Sequence, residues 1–167
     1  QHIDYPSLSK KTKKKDNSNN TILEVAVHVR RGDIKPCNRW SYRYLPNSYY
    51  QRILDEYLVD ENKTAQVTIF SEKNSFEPLT EFSAKNYTLK LDTDLTSIWM
   101  EIMLADVVVL SCSAFAYVPA LLEHKARVIY TEFHMQPLEG WEVIRKNSTF
   151  MKATHEEVEH MKRKCKK

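Results

Sequence analysis

Six consecutive residues, His28-Val29-Arg30-Arg31-Gly32-Asp33, bring together an imidazole, two guanidinium groups, a glycine and a carboxylate. A guanidinium fork holds phosphate oxygens bidentately and stays charged at any physiological pH, which suits a diphosphate group. Asp33 can orient one of the two arginines. The same residues would also serve as a salt-bridge cluster that closes a loop. The embedded Arg31-Gly32-Asp33 tripeptide spells a cell-adhesion sequence, but a three-residue match is too short to carry a function. A second stretch, Ser111-Cys112-Ser113-Ala114-Phe115, offers hydroxyls and, where a helix starts, backbone N–H groups that hold an anion. N-capping of that helix by Ser113 would use the same hydroxyl. Between them lie Ser71-Glu72 and Asp92-Thr93-Asp94. A carboxylate there can accept from a purine ring edge, and Asp92 is the candidate. Asp94 as a helix cap and Glu72 as a solvated side chain are the plainer alternatives.

These residues are useful only where the chain places them, and periodicity predicts where that is. Residues 24–30 alternate as a strand does, with Val25, Val27 and Val29 on one face and His28 and Arg30 on the other. Arg31 falls where the chain leaves the sheet. After a loop holding Pro36, Trp40 and Pro46, Asn47 or Ser48 can cap a helix through Tyr49, Ile53, Leu54, Tyr57 and Leu58. Residues 67–70 and 87–91 read as strands, with a short helical stretch near 75–82 between them. Asp94 is a fitting N-cap for a helix over 95–105, whose apolar stripe carries Leu95, Ile98, Trp99, Ile102 and Ala105. Met100 and Met103, with Trp99, are expected to pack in the core. Val107-Val108-Val109-Leu110 is apolar on both faces, as in a central parallel strand covered on each side. A helix to about His124, with Pro119 in its first turns, leads to a last strand at 127–130, and a terminal helix is expected beyond Thr154. The βαβ alternation predicts an α/β fold: a Rossmann-like three-layer sandwich with a mainly parallel sheet of about five strands. Every candidate residue follows an apolar strand, at the carboxyl edge where such sheets bind ligands.

The chain has 167 residues, enough for one substantial core, and a net charge of +3 that hides an uneven distribution. Lysines crowd residues 10–15, and lysines with Arg163 crowd 162–167, while acidic residues outnumber basic ones between those ends. The expected organisation is a flexible basic segment over 1–20, a Rossmann-like domain over 21–150, and a basic helix or tail over 151–167. Clustered arginines in an acidic middle suit a defined anion, and no nucleic-acid partner is expected. With only two glycines, Gly32 and Gly140, the chain builds neither a G-x-G-x-x-G fingerprint nor a P-loop. Three cysteines are too few for a disulfide framework or a zinc site, though one bridge is compatible with them. A serine hydrolase using Ser113 is disfavoured: no G-x-S-x-G elbow is present, and His124 and His134 lack an acidic partner. Sequons at Asn19, Asn62, Asn86 and Asn147 lean towards a secretory compartment, the Golgi or endoplasmic reticulum lumen. Within this segment there is no apolar run long enough for a membrane anchor, which is expected only outside it.

The run His28-Val29-Arg30-Arg31-Gly32-Asp33 after a strand resembles the HxRRxD motif of the α1,2-, α1,6- and protein O-fucosyltransferases. Ser111-Cys112-Ser113-Ala114-Phe115 is similar to the serine- and phenylalanine-containing turn after the last major strand of those families. The resemblance spans about residues 24–141. It implies the C-terminal lobe of a GT-B-type enzyme that binds GDP-fucose and transfers fucose with inversion to a glycan or glycoprotein acceptor, without a metal or other cofactor. It further implies that Arg30 and Arg31 act on the diphosphate in catalysis, with His28 and Asp33 supporting the loop and Ser71, Asp92, Ser111, Ser113, Ala114 and Phe115 completing the donor site. Two alternatives stay open: a metal-dependent transferase using Asp92-Thr93-Asp94 as a DxD pair, and a non-catalytic nucleotide- or sugar-binding module. Without the facing acceptor lobe, an isolated lobe of this kind would bind nucleotide with little transfer.

Overall fold

A computed structural model describes residues 14–15, 21–58, 63–122 and 125–165. Six strands, β1 (Thr21–Val29), β2 (Lys63–Ser71), β3 (Thr88–Leu91), β4 (Val107–Leu110), β5 (Arg127–Thr131) and β6 (Glu142–Ile144), alternate with helices α1 (Asn47–Tyr57), α2 (Thr80–Ser83), α3 (Leu95–Leu104), α4 (Ala114–Leu122) and α5 (Thr149–Lys164). The helices follow β1, β2, β3, β4 and β6 in that order. The strands form one sheet in the order β3-β2-β1-β4-β5-β6, and all pairings are parallel. This is the doubly wound Rossmann-like order, whose direction reverses between β1 and β4.

Period-two alternation within the strands sorts the core into two layers. Val25, Val27 and Val29 of β1, Val67 and Ile69 of β2, and Val107 and Val109 of β4 are buried with Tyr49, Tyr50, Ile53 and Leu54 of α1, Phe82 of α2 and Met151 of α5. On the opposite face Ala26, Phe70, Val108 and Leu110 pack with Ile98 and Ile102 of α3 and Ala116, Tyr117 and Ala120 of α4. Both faces of β4 are therefore covered, which is why its four residues are all apolar and all buried. Burial of such side chains contributes about 25 cal/mol per Å² of apolar surface, as an upper estimate against an extended chain.

Several local expectations differ from the structure. The N-cap of α1 is Pro46, and Asn47 is the first helical residue, with its side chain turned to tertiary partners. Residues 75–79 form a loop, and only Thr80–Ser83 is helical. A sixth strand, Glu142–Ile144, was too short for alternation to reveal. Helix α5 starts at Thr149, capped by the Ser148 hydroxyl, which accepts from the Met151 N–H at 3.2 Å. It is part of the packed domain, with Met151, Thr154 and Val158 buried, Arg52 donating to Thr154 Oγ1 at 2.8 Å, and a Cys37–Cys165 disulfide holding its end. Leu95 and Met100 are exposed rather than core. Pro119 lies in the second turn of α4, and Asp94 caps α3 by accepting from Ser97 N–H at 2.9 Å. Most of the basic N-terminal segment lies outside the described residues; Lys15 bridges to Thr21 and Lys14 pairs with Glu24 at 2.9 Å.

Candidate functional site

The carboxyl ends of β1, β2 and β3, with α3 and α4, enclose a cavity of about 130 Å³ lined by His28, Arg30, Ser71, Glu72, Asp92, Thr93, Ile98 and Phe115. Five expected site residues, His28, Arg30, Ser71, Asp92 and Phe115, thus meet around one space. The sheet's parallel register makes this possible, since His28 pairs with Phe70, Val29 with Ser71, and Ser71 with Leu91, so the three strands end together.

The two arginines do not share an environment. Arg30 has a quarter of its side chain exposed and is held between the carboxylates of Glu72 and Asp33. Of its five N–H donors, those unused by these two carboxylates remain for a ligand. Arg31 is fully buried and faces the other layer. Its Nη1 donates to the carbonyls of Arg30 and Leu45 at 2.9 Å each, and its Nη2 donates to Asn47 Oδ1 at 2.7 Å and lies 3.5 Å from Glu77 Oε2. Its guanidinium carbon sits 4.5 Å from the Tyr44 ring centroid and 5.9 Å from that of Tyr50. Arg31, expected at the phosphate beside Arg30, does not line this cavity: its fully buried guanidinium staples the loop to the start of α1, and its Nε is left without a hydrogen-bond partner. Parity carries the reason, because Arg31 continues the series Val25, Val27, Val29 towards the interior.

His28 is buried, its Nδ1 2.6 Å from Ser111 Oγ and its ring stacked on Phe115 with centroids 5.2 Å apart. Burial, reinforced by the positive charges of Arg30 and Arg31, pushes its pKa down to about 3, so the imidazole is neutral at physiological pH. The His28–Ser111 bond crosses from β1 to the end of β4, the point where strand order reverses. Neither Ser111 nor Ser113 lines the cavity directly. Ser113 accepts from Phe115 N–H at 3.3 Å, the capping role, while Ala114 is exposed at the first turn of α4. Ser71 is buried and donates to the Val29 carbonyl at 2.8 Å, locking the ends of β1 and β2 together.

Asp92 adopts φ +53, a left-handed conformation that aspartate tolerates better than most side chains and that clusters at binding sites. Its Oδ1 accepts from Lys73 N–H at 3.0 Å, and its own N–H donates to the Ser71 carbonyl at 3.0 Å. The carboxylates of Asp92 and Asp94 are thus bound to different partners, Lys73 and Ser97, rather than converging as a pair.

Glu72 and Glu77 are the residues that motif reasoning missed. Glu72 is no solvated bystander, since it clamps the Arg30 guanidinium with one oxygen and accepts from Arg31 N–H at 2.8 Å with the other. Gly32, at φ +65, completes that turn, its N–H donating to the Asn74 carbonyl at 2.9 Å. Glu77 accepts from the Tyr44 hydroxyl and from Asn47 N–H at 3.1 Å, and its burial pushes its pKa up. The position of Glu72 directly after a strand was a signal; nothing local marked Glu77, which lies in a loop.

A second cavity of about 320 Å³ opens on the other side of the Ser111–Ser113 turn, bounded by Tyr42, Cys112, Glu132, Phe133, His134, Lys146, Met151 and His155. Cys112 is buried there and its thiol is pushed up to about 12 by desolvation, which leaves it unreactive. Arg43 bridges the region, donating through Nε and Nη2 to the Cys112 carbonyl at 3.1 and 2.9 Å. Comparison of the chain with protein-family models, with curated protein sequences and with solved structures gives no match.

Proposed function

We propose that this chain is the donor-binding lobe of a glycosyltransferase of the fucosyltransferase type, taking a GDP-sugar at the carboxyl edge of its sheet and releasing GDP as the sugar is transferred with inversion. The observation that carries this is the cavity past the carboxyl ends of β1, β2 and β3 in which Arg30 is partly exposed while His28, Ser71, Asp92 and Phe115 surround it. Asp92 would accept from the guanine edge, and the diphosphate would lie against Arg30 and the first turn of α4. In the tautomer in which Ser111 donates to Nδ1, neutral His28 carries its proton on Nε2, and that N–H can donate a hydrogen bond to a phosphate oxygen. A cavity of about 130 Å³ takes part of such a ligand, and the rest would lie along the open edge.

In the reaction an acceptor hydroxyl oxygen bonds to the anomeric carbon as the bond from that carbon to the β-phosphate oxygen breaks. The hydroxyl proton leaves with a base, and negative charge grows on GDP. Fixed donors aimed at that charge stabilise the transition state more than the ground state. Arg30 supplies positive charge that a metal would otherwise provide. The phosphate would compete with Glu72 and Asp33 for the guanidinium, which makes those carboxylates placeholders as well as orienters.

The test is calorimetric titration of the chain with GDP, GDP-fucose, UDP and ADP, with and without EDTA. A preference for the guanosine ligands that survives EDTA is expected. Arg30→Ala should weaken GDP by about 1.5–3 kcal/mol, roughly tenfold to a hundredfold, as loss of a charge-assisted contact does. Unchanged GDP affinity in that variant would refute the phosphate assignment. Absence of any nucleotide binding by the folded protein would favour the second reading, a binding module in which the Arg30 ion-pair cluster is purely structural, a reading that the double carboxylate clamp on Arg30 favours.

A further inference from the structure

We infer that Asn86 is a site of N-linked glycosylation. It belongs to the tripeptide Asn86-Tyr87-Thr88 and sits in the turn between α2 and β3, exposed, at φ +59. The turn is held by backbone bonds from Lys85 N–H to the Phe82 carbonyl at 3.1 Å, Asn86 N–H to that of Ser83 at 3.0 Å and Tyr87 N–H to that of Phe82 at 3.3 Å, and by the Lys85 ammonium paired with Asp55 at 2.9 Å. The Asn86 carboxamide takes no part in them, so a substituent on Nδ2 costs the turn nothing. Thr88, whose hydroxyl the transferring enzyme must recognise, is also exposed, as the first residue of β3. Both groups that the chemistry needs therefore stand on the surface, two residues apart.

The position also suits a bulky substituent. Asn86 precedes the amino end of β3, whereas the cavity beside Arg30 lies past its carboxyl end at Asp92. A glycan there leaves that cavity open. Among the described residues strand β3 is the sheet's edge, paired only with β2, and a hydrated oligosaccharide beside it blocks edge-to-edge pairing with another chain. Asn147 is exposed too, but it directly follows Lys146, which lines the second cavity, so a glycan there would stand at that cavity's rim. Asn19 and Asn62 lie outside the described residues. An independent observation points to the compartment where such transfer occurs: the Cys37–Cys165 disulfide, with its Cα atoms 5.7 Å apart, is the kind of bond formed in an oxidising lumen. None of this depends on the donor-site proposal.

The donor class is an oligosaccharide carried on a lipid pyrophosphate. Asn86 Nδ2 bonds to the anomeric carbon, the bond from that carbon to the phosphate oxygen breaks, the lipid pyrophosphate leaves, and one amide proton passes to the enzyme's base. The experiment is to route the full chain through the secretory pathway of a eukaryotic cell, confirm the Cys37–Cys165 bond, and release N-glycans enzymatically in heavy-oxygen water before peptide mass spectrometry. Release should convert Asn86 to isotope-labelled aspartate. The label at that position should be lost in Asn86→Gln and Thr88→Ala and retained in Thr88→Ser. Unmodified Asn86 in wild-type protein whose disulfide has formed would overturn the inference, whatever the state of the other sequons, and so would persistence of the modification in Thr88→Ala.

Discussion

Arg30 and Arg31 are neighbours in the chain and opposites in environment, because consecutive residues at a strand exit point to opposite faces. One meets solvent and two carboxylates; the other meets Asn47, Glu77 and two tyrosine rings. His28 shares Arg30's face one step earlier and is sealed there as a neutral base. That has a consequence for stability against pH. The unfolded chain binds a proton at this histidine below about pH 6.5, whereas the folded chain does so only near 3, so the unfolded state binds more protons in between and folding weakens as pH falls through that window. The slope reaches at most about 1.4 kcal/mol per pH unit. Urea midpoints measured from pH 7 to pH 5, above the carboxylate range, should fall with pH in the wild type and fall less steeply in His28→Asn. An identical slope in the two proteins would show that His28 does not set it.

At the level of elements, the loop leaving β1 must be fixed to the start of α1 if Arg30 is to stay at the cavity. Arg31 does this by reaching the Leu45 carbonyl and Asn47 Oδ1, while Glu77, from the loop before α2, accepts from Asn47 N–H and faces the same guanidinium. Arg31→Met keeps the stem between Tyr44 and Tyr50 but leaves the Glu77 carboxylate without its cation. Removing one partner of such a buried pair costs about 3–5 kcal/mol. Chemical denaturation should show a loss of that order, with part of it regained in Arg31→Met/Glu77→Gln. A loss below about 1 kcal/mol, within the range of surface ion pairs, would mean that the staple is dispensable.

Across the whole molecule, the same loop is tied to the far end of the chain. Cys37 bonds to Cys165 at the end of α5 over a sequence separation of 128, and Ile34, Tyr44 and Val158 form a small apolar cluster beneath, with Trp40 and Met161 against it. Closing a long loop stabilises mainly by restricting the unfolded chain, and loss of such a native bond in a small domain costs about 2–5 kcal/mol. Cys37→Ser/Cys165→Ser should therefore unfold at lower denaturant while retaining its circular dichroism, because the apolar cluster and the two main core layers remain. Unchanged stability would place the bond's contribution near zero.

The succession of helices and of the first five strands and the covered central strand follow from the sequence, since periods of 2 and 3.6 and the apolar run 107–110 are local properties. The Asp94 cap follows for the same reason. The strand β6 did not, because three residues are too few to show alternation, and the full reach of α5 did not, because its start depends on Ser148 capping and on burial against α1 and the Cys37 loop. Which arginine borders the cavity and which is a buried staple was decided only by tertiary structure. Five of the expected site residues do line one cavity, but Glu72 and Glu77 enter only when separate loops converge on the β1 exit. Local pattern specifies which face a residue takes, whereas the partner waiting on that face comes from distant sequence.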